Sequence, residues 1–246
     1  MPKYYDNLET ETSISQASGS NLNTPVEFLS QSSTLISLCT FCQNILQQVI
    51  YTSYGEKLLE AKKTLKDFPS PKSRYDFICA FQFENADEVA VKIFDFSRSI
   101  FSDIYELRNI LAHEVWSSSS DCADGVYFAS LDENSRLAMA SGRLWHDESV
   151  TPKNIYEATT RYIRKIKVVK SHHLSLAIAD ANLCSWSLMN LHNLLNAENE
   201  TQRAKARSAF LRYRGTSHLF EDPVELPDTI EFTAVKKKKI EDGDIS

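Results

Sequence analysis

The residues with the right types for chemistry stand together in one stretch, Glu106-Leu107-Arg108-Asn109-Ile110-Leu111-Ala112-His113. An imidazole titrating near neutrality can take up a proton or give one back. A guanidinium stays charged and forks onto phosphate oxygens, so it suits negative charge developing there. If the stretch is helical, Asn109 and His113 lie on one face, one turn apart. Arg108 falls on the flank of that helix, beside Phe101 and Ala112, and diverges from His113 by more than a third of a turn. Arg108 and His113 therefore do not make a compact site within one chain. Two copies of the helix related by a two-fold axis would gather both around one cleft.

The element that must carry these groups is the clearest in the chain. From about Asp87 to Trp116, the residues Val89, Ile93, Phe96, Ile100, Ile104, Leu107, Leu111 and Val115 recur every three or four positions. That spacing predicts a long amphipathic helix with one face on a core or a partner, capped by Asn85 or Asp87. An earlier helix is expected from Pro25 to about Tyr54, with Phe28, Leu35, Leu38, Phe41, Ile45 and Val49 on its apolar side. Shorter helices are expected over Glu56–Phe68, ended by Pro69-Ser70-Pro71, and over about Lys72–Gln82.

Beyond Ser117–Ser120 an insertion spans Asp121–Glu148. Within it Val126–Leu131 and Arg136–Ser141 read as a small β-hairpin around Asp132-Glu133-Asn134-Ser135, with a helix as the alternative for Arg136–Leu144. Helix resumes at Thr151-Pro152 and continues to about Asn196, with a break possible near Ser171-His172-His173. A last helix covers Glu200–Tyr213, before Gly215. Residues 1–24 carry Ser, Thr, Asn and Glu with few large apolar groups, and are expected to be disordered. The tail from Glu221 is charged and holds Lys236–Lys239, a solvated run with targeting or RNA contact as the lesser reading. The fold class is thus mostly α: one helical bundle domain over residues 25–220, with a small β-hairpin insertion at about 121–148 and a flexible tail over 221–246.

The Arg108-Asn109-Ile110-Leu111-Ala112-His113 segment resembles the signature of the HEPN superfamily: an Arg, a polar residue, and a His at the end of a four-to-six-residue gap. It also lies late in a long helix, as in that family. The likeness in helical layout covers about residues 25–200, and its specific part is residues 108–113. A second Arg-to-His pair of loose fit, Arg212 and His218, is broken by a helix end and Gly215.

The resemblance implies a short helical bundle and a metal-independent endoribonuclease that works as a homodimer with a composite site. It implies His113 as the acid/base group, Arg108 as the phosphate clamp, and Asn109 orienting His113 or touching the phosphate. The ribose 2′-OH would attack the adjacent phosphate, leaving a 2′,3′-cyclic phosphate and a 5′-hydroxyl. Neither a cofactor nor a metal is needed. The family context is toxin–antitoxin or defence, with an antitoxin or other regulatory protein as a partner. A non-catalytic relative, an interaction or regulatory module similar to the mannitol repressor, is the rival reading. In that case Arg108 pairs with Glu106 or Asp103, and Asn109 and His113 form an ordinary hydrogen-bonded pair at a helix C-terminus, where the dipole favours His.

Other residues narrow the classes. The net charge is −6, so nothing global marks a nucleic-acid binder. Arg161, Arg164, Lys165, Lys167 and Lys170 make a local basic run on the expected helix, either an RNA backbone track or a solvated face. Five scattered cysteines argue against a disulfide framework. Cys39-Thr40-Phe41-Cys42 has no second pair, so two buried thiols are expected there rather than zinc. His172 and His173 are adjacent and cannot readily share a metal. They are expected at a surface or boundary. Trp116 and Trp186 are expected in the core or an interface, and Trp145 either in the core or against a base. No apolar run is long enough to span a membrane, Asp180 interrupting the best one, and the first residues are polar where a signal peptide needs an apolar stretch. The expected location is the cytoplasm.

Overall fold

The computed structural model describes residues 4–8, 26–54, 63, 70–83, 87–117, 124–132, 135, 151, 153, 165–213, 216 and 218–220. Among them the chain is mostly helical, with one small antiparallel sheet. Helix α1 (Val26–Ser53) buries Phe28, Leu35, Cys39, Cys42, Leu46 and Val49, the spacing that an amphipathic helix requires. Its outer face is hydroxylic: Thr34, Ser37 and Thr40 each donate to a carbonyl four residues back. Phe41, placed on the apolar side from sequence, instead stands out at 45% exposure, one position off the buried stripe. Helix α2 (Pro71–Ala80) starts at a Ser70–Ser73 capping box. The expected Glu56–Phe68 helix lies outside the described residues.

Helix α3 (Glu88–His113) begins where Asp87 Oδ1 accepts the Val89 N–H at 2.8 Å. Ile93, Phe94, Phe101, Ile104, Leu107 and Leu111 are buried along one side. The helix stops three residues short of the expected Trp116. Glu114 turns extended, and Val115–Ser117 becomes strand β2. Trp116 Nε1 donates to Leu111 O at 2.9 Å, which satisfies one of the carbonyls left open at the helix end. The same indole packs edge-on against Phe28 and Phe128.

The sheet differs from the expected hairpin. Strand β3 (Gly125–Ala129) is where the pattern put it, but its partners are β2 and β4 (Lys167–Lys170), and β4 in turn pairs β1 (Asp6–Asn7). The segment 136–141 lies outside the described residues, while Leu131, the expected strand end, and Asp132, the expected start of the turn, are helical. Alternation sorts β3: Val126 and Phe128 join the helical core, while Tyr127 and Ala129 join a second cluster with Leu8, Ile166 and Val168. Both faces of the strand are therefore buried.

Helix α4 (Ser171–Leu195) lies at the centre. Its Ala181 carbonyl accepts the Cys42 thiol of α1, and its Cys184 thiol reaches Ser97 O of α3. Helix α5 (Glu200–Arg212) seals α4 through Phe210, edge-on to Trp186, and joins α3 through an Arg207–Asp87 ion pair. Cys39, Cys42 and Cys184 are free and buried, as expected of Cys39 and Cys42.

Residues 4–8 correct the expectation for the N-terminal segment. They are ordered by distant contacts: Tyr4 is 3% exposed and its hydroxyl donates to Asp180 Oδ2 at 2.7 Å. Leu8 N–H donates to Ile166 O at 3.0 Å. Tyr4→Phe is expected to cost about 1–3 kcal/mol, since it removes a buried hydrogen bond to a carboxylate. The fall should show as a lower urea midpoint at unchanged slope.

His173 is also buried, at 5% exposure, rather than at the surface. Its Nδ1 accepts the Lys170 N–H at 3.2 Å, and its Nε2 lies 3.8 Å from Asp6 Oδ1. Burial, then the neighbouring His172, hold its pKa below the ordinary imidazole value. Lys170 acts the same way, and Asp6 and Asp124 pull upward. The unfolded chain therefore binds a proton that the folded one resists. Stability from this group is complete above about pH 6.5 and is lost as pH falls through the lower folded value. Urea midpoints should drop between pH 7.5 and 5.5, and His173→Asn should flatten that slope.

Candidate active site

The last turn of α3 carries the site. Leu107, Ile110 and Leu111 fix the helix by their burial, which leaves Arg108 and Asn109 half-exposed and Ala112 and His113 exposed. Arg108 Nη1 donates to Asn109 Oδ1 at 3.0 Å and stands 3.2 Å from His113 Nε2. The expectation that Arg108 and His113 diverge within one chain is thus corrected. Their backbone positions do diverge, but the guanidinium on its long stem reaches across the next turn to the imidazole.

The hydrogen bond also fixes a tautomer. A guanidinium has donors only, so His113 Nε2 is the acceptor and the ring proton is on Nδ1. The lone pair of Nε2 is therefore engaged by the cation while the two groups stay bonded. Asn109 holds Arg108 rather than His113, by the contacts seen.

The acids proposed as alternative partners are used elsewhere or stay apart. Glu106 Oε1 accepts the Tyr5 hydroxyl at 2.7 Å, and burial with this bond pushes the Tyr5 phenol up to about 12. Burial raises the Asp103 carboxyl above its usual range. No carboxylate bonds Arg108 among the described residues. On its inner side Arg108 comes within electrostatic reach of Cys39 on α1. Burial, and then Cys42, push that thiol up to about 12, with Arg108 pulling it down. Cys39 is therefore a thiol, not a nucleophilic thiolate.

Lys165, Lys167 and Lys170 of the basic run are not helical. Lys167 and Lys170 lie on strand β4, and Lys165 is exposed in the turn before it. Lys167 Nζ is 2.7 Å from Glu114 Oε1 and sits over the Tyr5 ring, and Lys170 pairs Asp6 at 3.3 Å. Arg161 and Arg164 lie outside the described residues, as does Trp145. The decoy pair separates: Arg212 ends α5, and the His218 ring stands edge-on to Phe96. The His172 and His173 rings lie 4.0 Å apart, tilted by 53°. No group of three or more His, Cys, Asp or Glu side chains that could hold a metal ion occurs among the described residues. No helix among them is long and apolar enough to cross a membrane.

Two features of the site were not read from sequence. Tyr105, one turn before Asn109, stacks on Tyr75 of α2. Its signal was available, because position 105 is i−4 from a candidate residue. The Tyr5–Glu106 bond had no signal, since it joins residues about a hundred positions apart.

No protein-family model, curated protein or solved structure matches this chain.

Proposed function

We propose that this chain is a HEPN-like, metal-independent endoribonuclease whose site is the Arg108–Asn109–His113 cluster. The observation that supports the reading is the exposed imidazole bonded through Nε2 to a guanidinium that no carboxylate neutralises among the described residues. A phosphodiester offers that guanidinium better acceptors than an imidazole nitrogen. As Arg108 turns to the phosphate, His113 Nε2 is released with its lone pair free. It can then take the 2′-OH proton as the oxygen attacks phosphorus. The departing 5′ oxygen needs a proton from a second group.

Each chain supplies one such imidazole, so a homodimer with two facing clusters holds both an acceptor and a donor. The proposed partners are therefore RNA and a second copy, with a regulatory protein such as an antitoxin in the toxin or defence setting. The mannitol-repressor-like module fits less well, since it calls for an isolated or buried His113.

The test is the chemistry of the ends. Purified protein incubated with mixed cellular RNA in EDTA should yield 2′,3′-cyclic phosphate and 5′-hydroxyl termini by mass spectrometry. Products ending in 3′-hydroxyl and 5′-phosphate would overturn the mechanism. Intact RNA under all conditions would favour the module.

A further inference from the structure

The geometry points to the stacked Tyr75–Tyr105 pair as a nucleobase shelf that takes one unpaired base of a single-stranded RNA whose phosphate lies at Arg108. The substrate class rests on the ribonuclease reading, but the ring pair is observed independently of it. The two ring centroids are 4.3 Å apart with their planes within 10° of parallel. Both rings pack partly buried against the helical core, and each keeps some exposed surface. The pair is also held in place: the Tyr75 hydroxyl is 2.8 Å from Ser102 Oγ, and Phe101 packs against both rings at 6.0 and 5.5 Å. A stack fixed before a ligand arrives loses little freedom on binding.

Position supplies the link to the candidate site. Tyr105 stands one turn before both Arg108 and Asn109, on the sector of α3 between them. Side chains on neighbouring turns have Cβ atoms about 5–6 Å apart, a span that a base and its own phosphate can bridge. Charge narrows the ligand further. Lys167 is held by Glu114 and Lys170 by Asp6, while Arg108 meets no carboxylate among the described residues. One cation and one aromatic stack suit an unstacked nucleotide better than a duplex, whose bases hide their faces and whose affinity comes from many phosphates. Since every base has a π face, the shelf should select for single strands with little preference among bases.

The probe is a 2′-O-methyl oligonucleotide of uridines with one central 2-aminopurine, which binds but cannot be cut by 2′-OH attack. Binding to the full chain should quench the 2-aminopurine emission. Tyr105→Phe and Tyr105→Trp should keep the quenching, whereas Tyr105→Leu should lose it and bind about tenfold or more weakly. The aromatic variants guard against misfolding, because a merely packed tyrosine would tolerate leucine at least as well as tryptophan. Quenching by the wild type without RNA cleavage would keep the shelf and remove the ribonuclease reading. Cleavage of RNA together with equal quenching by wild type and Tyr105→Leu would remove the shelf and keep the enzyme. Absence of binding by the wild type would overturn the shelf.

Discussion

His113→Ala is expected to lower the rate of RNA cleavage by about 10²–10⁴-fold, the usual worth of one positioned acid/base group. The fold should be unaffected. His113 is exposed, ends α3, and gives the core nothing. Its loss removes the acceptor at 3.2 Å from Arg108 but leaves the guanidinium bonded to Asn109. Substrate affinity should therefore change little while turnover collapses, which single-turnover kinetics with saturating protein would separate. His113→Gln supplies a discriminating control. It can accept from Arg108 through its carbonyl but cannot carry a proton, so it should rescue the local hydrogen bond and not the rate.

Arg108→Lys is expected to cost about 10²–10³-fold, although the charge is kept. The guanidinium reaches Asn109 and His113 from one nitrogen and keeps its remaining donors for an incoming phosphate. An ammonium is a point charge without that planar fork, so it cannot hold Asn109 and fork onto a phosphate in the same geometry. Arg108→Ala should cost at least as much, and both should weaken binding as well as turnover, unlike His113→Ala. The thiol of Cys39 gives a second reading of the same change. Arg108 draws its pKa down, so Arg108→Ala should make Cys39 still slower to alkylate at high pH in the folded protein.

The helices were legible because their signal is local. The stripe through Ile93, Ile104, Leu107 and Leu111 repeats at 3.6 residues, and Asp87 caps it as its side chain predicts. Strand β3 was read in part, but the other three were not, because they are two to four residues long and exist through pairing. Lys167-Val168-Val169-Lys170 satisfies a helix or a strand equally, and only its register against Gly125–Phe128 decides. The Tyr4–Leu8 segment was invisible for the same reason. It heads a polar stretch, and it is ordered by Asp180, Glu106 and Lys170, all more than a hundred positions away.

At the site, sequence located Arg108, Asn109 and His113 but misjudged how they meet. A helical wheel gives the direction in which a side chain leaves the backbone and says nothing of its reach. The long arginine stem closes a gap that a short side chain could not. The basic run failed for a complementary reason. Its lysines were counted without the acids that face them, and Glu114 and Asp6 come from other elements.

The central claim is that this site uses the ribose 2′-OH as the nucleophile. The direct test takes a cleavage position mapped on cellular RNA and two short oligonucleotides spanning it, identical but for one 2′-deoxyribose at the nucleotide 5′ to the cut. Incubated with wild-type protein in EDTA, the all-ribose strand should be cut and the substituted strand should stay intact at that position. Equal cutting of both strands would contradict the account, since the attacking oxygen would then come from elsewhere.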